Sequence, residues 1–186
     1  MRYVHRFEYP SGIFHVTAHA ISGEREFRNT EDHRNFNWIL GYTAQRLGLR
    51  VLMWCHVVNH HHLLVQTPEA NLAPSMHRLM STYARGYNAR HGRRGHLFRE
   101  RYRSTFVQTE DHFFRCVRYI ALNPVKHDLC SRPESYRWSN YGSLVRGGRA
   151  TPANAQVDVI TRFGSMEALT AYVEEGLQEL LQLRAA

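Results

Sequence analysis

A run of three histidines at the start of an apolar segment is the feature that most constrains the fold of this chain. His60, His61 and His62 lie in WCHVVNHHHLLVQTP, at positions 54–68. If this segment is a β-strand, side chains two apart share a face, so His60 and His62 project together and His61 points the other way. Neutral imidazole is the commonest protein metal ligand. The pattern therefore indicates a metal-ligand or catalytic pair, or else a strand end with solvent-facing rings.

The composition favours a globular protein that binds nucleic acid. The 186 residues, 43% of them hydrophobic, suffice for one domain and a small appendage. The formal charge is +8, and all but one of the 24 basic residues are arginine, the exception being Lys126. Arginine pairs with phosphate oxygens and stacks on bases. A codon bias would explain the preference for arginine over lysine, but not the clustering of the arginines.

The cysteines and the apolar pattern do not fit a zinc finger, a secreted protein or a membrane-spanning protein. Cys55, Cys116 and Cys130 are scattered and lack CxxC or zinc-finger spacing, so we expect them to be reduced. No signal-peptide pattern is present, and no apolar stretch approaches the roughly 20 residues that span a membrane. We therefore expect a cytoplasmic protein without a membrane partner.

Hydrophobic periodicity predicts the order β-α-β-β-α-β-α, followed by a helical tail. The first predicted elements are a strand over 13–20, a helix from an N-cap at Thr30 to Leu47, strands over 49–57 and 60–67, and a helix over 72–90. A strand over 104–109 follows, and then a helix that begins just after Asp111 and runs to about 122, where Pro124 ends it. The last predicted helices cover 157–163 and 166–183, the second of them capped by Ser165. A Gly/Pro/Ala-rich linker at 146–156 would separate a domain of residues 1–145 from a tail of residues 157–186. The aromatic segment at 136–141 is expected to cover a sheet edge or the core.

On the first predicted strand, apolar residues alternate with His15, Thr17 and His19. This alternation is typical of a strand with one covered face. We therefore expect His15 and His19 to lie on the exposed face and not to act as ligands.

The predicted helix over 72–90 and the loop after it concentrate positive charge. The arginines there are Arg78, Arg85, Arg90, Arg93, Arg94, Arg99, Arg101 and Arg103. Interleaved with them are the aromatic residues Tyr83, Tyr87, Phe98 and Tyr102. Such a run is usually a solvated face, but cations mixed with aromatic rings are also what a groove for single-stranded nucleic acid requires. The sequence thus predicts a DNA-binding surface here.

Tyr119 and Asn123 are four residues apart on a predicted helix and so share one face. A phenol is a poor nucleophile unless a metal or cation activates its target, and a metal at His60 and His62 would supply that activation. The alternatives are a buried tyrosine with a satisfied hydroxyl and a helix C-cap ahead of Pro124.

Three motifs together resemble a known family. They are NHHHLLVQTP at 59–68, YARGYNARHGRRGHLFRERYRS at 83–104 and YIALNPVKH at 119–127. Over roughly positions 9–141 the chain is similar to the single-tyrosine HUH transposases, and within them to the IS200-like, REP-associated tyrosine transposases.

The resemblance implies a fold, a site and an activity. The fold would be a ferredoxin-like α/β (α+β) sandwich with an antiparallel sheet. His60, His62 and Asn123 would bind a divalent metal, Mg²⁺ or Mn²⁺, and Tyr119 would be the nucleophile. The activity would be cleavage and rejoining of single-stranded or hairpin DNA through a 5′-phosphotyrosine intermediate. The arginine run and Lys126 would hold DNA, and the protein would be a monomer or a homodimer.

Two other functions remain open at this stage. One is an inactive DNA-binding regulator descended from such a transposase. The other is a zinc hydrolase that uses His60 and His62 with His56 or His127.

The sequence departs from the family pattern at two positions. The family usually has a bulky apolar residue where this chain has His61, and Val58 replaces a proline often found before Asn59. A one-residue slip of the strand would turn His61 toward the ligand face.

Overall fold

The computed structural model of the protein describes residues 9–148, 152 and 155–185, without the side chain of Gln156. The strands are β1 (Gly12–His19), β2 (Arg50–His56), β3 (His60–Thr67) and β4 (Arg103–Phe106); the helices are α1 (Thr30–Leu47), α2 (Leu72–Arg90), α3 (Glu110–Lys126), α4 (Tyr141–Val145), α5 (Gln156–Phe163) and α6 (Met166–Ala185). The predicted order of elements is confirmed, and so is the antiparallel α/β sandwich.

The four strands form one antiparallel sheet in the order β2-β3-β1-β4. Strand β3 is central, and its register with β1 pairs His62 with Thr17 and His60 with His19. Because helices cover both faces of the sheet, apolar residues of β3 enter two separate cores. Leu63 packs on the side of α1 and α2, and Leu64 packs on the side of α3. The histidines that precede them continue this alternation.

The first layer consists of α1 and α2, which lie side by side on one face of the sheet. Helix α1 begins one residue earlier than predicted, because Asn29 and not Thr30 is its N-cap. The Asn29 carboxamide oxygen accepts hydrogen bonds from the backbone N–H groups of Glu31 and Asp32, at 3.0 and 3.1 Å. Gly48 ends the helix in the left-handed region, with φ of 66°, as predicted.

The second layer contains α3 and the helices after it, which pack against the opposite face of the sheet. Ser165 caps α6 as predicted, since its hydroxyl accepts from the Ala168 N–H at 3.1 Å. Arg184 of α6 donates to the carbonyl oxygens of Val125 and Lys126 at the end of α3, at 3.0 Å each. Residues 149–151 and 153–154 of the predicted linker lie outside the described residues, and the division into a domain and a tail stays a prediction.

The predicted ends of α3 and β4 differ most from the observed ones. Pro124 does not end α3, which continues to Lys126. A proline removes only one N–H from the helix, and the last turn is closed by hydrogen bonds from His127 to Asn123 at 3.2 Å and from Leu129 to Pro124 at 2.9 Å. Strand β4 ends at Phe106, three residues before the predicted end.

Residues 136–141 cover the free edge of β2. Of the two predicted positions for this segment, a sheet edge or the core, the structure thus shows the sheet edge. The backbone N–H of His56 donates to Trp138 O at 2.8 Å. The Asn140 side chain accepts from the Trp54 N–H at 2.8 Å and donates to Leu52 O at 3.1 Å. These bonds satisfy edge groups that would otherwise be open to another strand.

Cysteine pairing and helix length can be read from the part of the chain that the structure describes. Cys55, Cys116 and Cys130 are free thiols. None of the described helices combines the length and apolar character needed to cross a membrane.

Candidate functional site

His60 and His62 lie on the face of β3 that is turned toward α3. Their ring centroids are 4.9 Å apart, and the ring of Tyr119 on α3 lies 5.2 Å from that of His62. Tyr119 is 41% exposed and lies beside two buried imidazoles. The structure thus brings together the histidine pair and the tyrosine, which are 57 residues apart counted from His62 to Tyr119.

Hydrogen bonds orient both imidazoles through their Nδ1 atoms. Nδ1 of His62 lies 3.0 Å from Nε2 of His15, and Nδ1–H of His60 donates to Oδ1 of Asn59 at 2.9 Å. The Nε2 atom of each ring is therefore left for another partner. Nε2 of His62 is buried and has no hydrogen-bond partner among the described residues.

Asn123 supplies a second buried polar atom without a partner. It lies one helical turn after Tyr119 and is 1% exposed. Its Oδ1 makes no hydrogen bond within the described ranges. Buried polar atoms are nearly always paired. An imidazole nitrogen and a carboxamide oxygen that lack partners beside the same helix therefore fit the ligand set expected of a divalent-ion site.

Histidine, cysteine and carboxylate side chains alone do not form such a site. Across residues 9–148, 152 and 155–185, no group of three or more of these side chains could hold a metal ion. The ligand set predicted from the sequence is of another kind, two imidazoles with a carboxamide.

Burial keeps the imidazoles of this face neutral. Burial, with a smaller contribution from His19, lowers the pKa of His60 to about 3. Burial and then His15 lower the pKa of His62 well below its ordinary value. The pKa of His15 is lowered to about 4, mainly by burial. These rings carry lone pairs at neutral pH, which is the form that binds metals.

His15 and His19 were predicted to lie on an exposed face, and that prediction is wrong. Both are partly buried, and the ring of Tyr119 on α3 lies 5.8 Å from that of His15. The His19 ring stacks on that of His60 at 4.5 Å, and the His15 ring stacks on that of His62 at 5.2 Å. The pairing of β1 with β3 places both histidines beside His60 and His62. The alternation on β1 does not reveal that pairing by itself.

Two further groups border the site at the end of α3. The ammonium of Lys126 lies 4.4 Å from the centroid of the Tyr119 ring, and burial lowers its pKa. The ring of His127 lies 5.1 Å from that of His60. Lys126 is thus part of the surroundings of Tyr119 and not of the arginine-rich surface around α2.

His61 points to the opposite face of the sheet. Its Nδ1 donates to Oε1 of Glu26 at 2.7 Å, and both side chains are fully buried. Burial raises the pKa of the Glu26 carboxyl. The strand is therefore not slipped. His56 pairs with His61 across the sheet and packs against Phe27 on the same side, so it does not join His60 and His62.

The predicted DNA-binding arginines separate into three groups. Arg85, Arg99 and Arg101 line a groove of about 840 Å³ between α2 and residues 95–102. The remaining exposed members are Arg78, Arg94 and Arg103, the last of which pairs with Glu100.

Arg90 and Arg93 have structural partners. Arg90 pairs with buried Asp32 at 2.9 Å and Arg93 pairs with Glu24 at 3.0 Å. The first ion pair links the end of α2 to the start of α1. The second links the loop after α2 to the segment before α1.

Tyr83 and Tyr87 do not line the groove as their interleaving with arginine predicted. Both rings are buried, and their hydroxyls donate to the carbonyl oxygens of Glu26 at 2.6 Å and Arg25 at 2.5 Å. They lie on the face of α2 that packs against the sheet. Their positions in the helical repeat, and not the arginines next to them in the sequence, decide which way they point. Phe98 and Tyr102 do line the groove.

The groove leads toward the histidine face. The backbone N–H of Arg99 donates to His19 O at 3.0 Å, and Phe98 forms a β-bridge with Ala20. The positive charge of Arg99 adds to burial in lowering the pKa of His19. A chain of contacts thus runs from the groove through His19 to His60.

Comparisons with known proteins agree with this geometry. A family model described as IS200-like transposase matches residues 13–123, which span β1 to Asn123. A solved structure of a REP-associated tyrosine transposase bound to a REP hairpin has the same fold, with a TM-score of 0.67 and 14% sequence identity over 81% of this chain and 89% of that chain. No curated protein sequence matches. Because the family model covers more than half of the sequence, this chain belongs to the IS200-like transposase family.

Proposed function

We propose that this protein is a metal-dependent single-stranded DNA endonuclease and strand transferase that acts on hairpin or palindromic DNA. Family membership gives the coarser function, a transposase-like processing of DNA. The observation that carries the finer proposal is the position of partly exposed Tyr119 beside His60 and His62. The buried, unpartnered carboxamide oxygen of Asn123, one helical turn along α3, adds to it.

His60, His62 and Asn123 would hold the divalent ion. When bound, Mg²⁺ or Mn²⁺ supplies Lewis-acid polarisation of the scissile phosphate. His15 and Asn59 fix the ring orientations through the Nδ1 atoms.

Tyr119 performs the covalent step. Its phenolic oxygen attacks the phosphorus of the scissile phosphodiester, the bond from phosphorus to the 3′-oxygen breaks, and a 5′-phosphotyrosine forms. The phenol loses its proton to solvent, and the departing 3′-oxygen takes up a proton to become a 3′-hydroxyl. The ammonium of Lys126, 4.4 Å from the centroid of the Tyr119 ring, would attract the negatively charged DNA backbone to the nucleophile. Attack of a 3′-hydroxyl on the phosphotyrosine reverses the step and rejoins a strand.

The groove beside α2 would hold the flanking single strand. Arg85, Arg99 and Arg101 offer cations for phosphates, and Phe98 offers a ring for a base. The protein would act as a monomer or a homodimer. We expect the reaction to take place in the cytoplasm.

A trapping assay tests the proposal. A labelled DNA hairpin with single-stranded flanks is incubated with the protein and Mn²⁺ and resolved on a denaturing gel, beside Tyr119→Phe and a chelator control. We expect a covalent protein–DNA band that both controls lack. Tight binding with no covalent band for several flanking sequences would contradict the proposal and favour the inactive DNA-binding descendant.

A further inference from the structure

Two aromatic side chains stand unburied on the outer surface of α1. Trp38 is 66% exposed, more than any other aromatic residue that the structure describes, and Tyr42 is 39% exposed. They are one helical turn apart, with ring centroids 5.6 Å apart and an angle of 8° between the planes. The pair presents a flat apolar surface to solvent, and neither the core nor the site at Tyr119 uses it.

Arginines border this pair. The Arg78 guanidinium of α2 lies 5.1 Å from the centroid of the Tyr42 ring. Arg34 lies four residues before Trp38 and Arg46 four residues after Tyr42, so both exposed side chains share the stripe. None of the three arginines has an ion-pair partner in the described part of the chain. Exposed Glu31, at the start of α1, is the acid on that stripe.

The chemistry of this surface indicates its ligand. Flat rings flanked by unpaired guanidinium groups match the alternation of bases and phosphates in a single strand, because each base has a stacking face and each phosphate a charge. A contact between two copies of the chain would instead bring like charges together. Charge complementarity therefore favours a polyanion with unpaired bases.

We propose that Trp38 and Tyr42 form a stacking platform for unpaired bases of single-stranded DNA, with Arg34, Arg46 and Arg78 holding the adjacent phosphates. The proposal rests on the single-stranded DNA substrate proposed above and adds a second contact region remote from Tyr119. Helix α2 connects the platform with the groove, since Arg78 contacts Tyr42 while Arg85 of the same helix lines the groove. The platform lies on the layer opposite α3, so it contributes to affinity for the flank and not to bond cleavage.

Binding of DNA with graded flanks tests the platform. Affinities are measured for a blunt hairpin and for hairpins with flanks of about 5, 10 and 20 nucleotides, which bracket common single-strand site sizes. For Trp38→Ala/Tyr42→Ala we expect roughly 10-fold weaker binding of the longest flank and unchanged binding of the blunt hairpin. Trp38→Phe keeps a ring and should retain most of the affinity. Val157→Ala removes another exposed apolar side chain, 74% exposed on α5, and should change nothing.

Intrinsic fluorescence gives an independent readout. Trp54 is buried and Trp138 stacks on His33 at 4.1 Å, so Trp38 is the tryptophan most open to a base. Long-flank DNA should quench the wild-type emission, and Trp38→Phe should abolish most of that quenching.

The outcomes separate failure of the platform from failure of the proposed function. If the wild type neither binds nor cleaves single-stranded DNA, both proposals are wrong. If it binds and cleaves while the double alanine variant matches it at every flank length, the platform is wrong and the endonuclease proposal stands. A change in oligomeric state without a change in affinity would also overturn the platform, because α1 would then be a protein contact.

Discussion

The two faces of strand β3 carry the same residue type in opposite surroundings. On one face His60 and His62 lie beside Tyr119, and the Nε2 atom of His62 has no partner in the described structure. On the other face His61 is fully buried, 4.6 Å from the Phe36 ring, and hydrogen-bonded to Glu26. Both faces pair Nδ1 and leave an Nε2 without a partner, since Nε2 of His61 is also unpartnered in the described structure. What differs is access: His61 is enclosed in the core of α1 and α2, whereas His62 lies beside Tyr119, which is 41% exposed. The difference teaches that the surroundings of each ring, and not its residue type, separate a candidate ligand from a structural histidine.

The largest effect is expected from removing a ligand candidate. His62→Ala should lower the rate of DNA cleavage by at least about 1,000-fold, as is common when one member of a catalytic set is lost. Its fold should persist, because Leu64 and the α3 core remain. Single-turnover cleavage together with circular dichroism measures both effects. Cleavage within tenfold of wild type would show that the open face of β3 is not the site.

The opposite face should respond in stability. His61→Leu leaves the buried Glu26 carboxyl without its partner, which should lower the free energy of unfolding by about 3 kcal/mol. Adding Glu26→Met removes the stranded acid and should restore most of the loss. Denaturant unfolding measures both variants. A double variant no more stable than His61→Leu would contradict a structural role for the pair.

A smaller effect is expected at His15, which contacts His62 without belonging to the proposed ligand set. His15→Ala removes the partner of Nδ1 and should raise the Mn²⁺ concentration for half-maximal cleavage roughly 10- to 100-fold. Excess Mn²⁺ should recover the rate, and His15→Asn, which keeps an acceptor, should be affected less. A lower maximal rate that Mn²⁺ does not rescue would mean that His15 acts in another way.

The smallest effect concerns pH on the structural face. Burial lowers the pKa of His33 to about 4, against 6.5 for an ordinary histidine. Below pH 6.5 the unfolded chain takes up a proton that the folded chain does not, so this stability is complete above pH 6.5 and is lost as the pH falls toward 4.

The matched variant is His33→Phe, which keeps a ring against Phe27 and Trp138. Its free energy of unfolding should depend less steeply on pH between 6.5 and 4, by up to about 1.4 kcal/mol per pH unit. Urea unfolding at several pH values measures this slope. An unchanged slope would show that His33 is not neutral in the folded protein.

Local periodicity accounts for the parts of the candidate site that the sequence predicted. The two-residue repeat of a strand turns His60 and His62 to one face, and the helical repeat places Asn123 one turn after Tyr119. These relations depend on a few neighbouring residues, so they hold whatever the rest of the chain does. The roles proposed for these residues stay predictions.

Contacts between distant segments account for what the sequence did not reveal. His15 was misplaced because its neighbours are the rings of His62 and Tyr119, and nothing in the alternation of β1 shows those contacts. The partner of His61 is Glu26, 35 residues earlier in a loop. Tyr83 belongs to the apolar stripe of α2 and also has arginine neighbours in the sequence. The free energy gained by burying its ring places it in the core and not in the groove.

The most direct test of the account is to identify the residue that becomes joined to DNA. Trypsin cleaves after Arg118 and Lys126, which isolates residues 119–126 as one peptide containing a single tyrosine. After reaction with hairpin DNA and Mn²⁺, followed by nuclease and trypsin, mass spectrometry should find this peptide carrying a nucleotide through a phosphate on Tyr119. A nucleotide on any other residue, or none on a protein that has cleaved its DNA, would contradict the assignment of Tyr119 as the nucleophile.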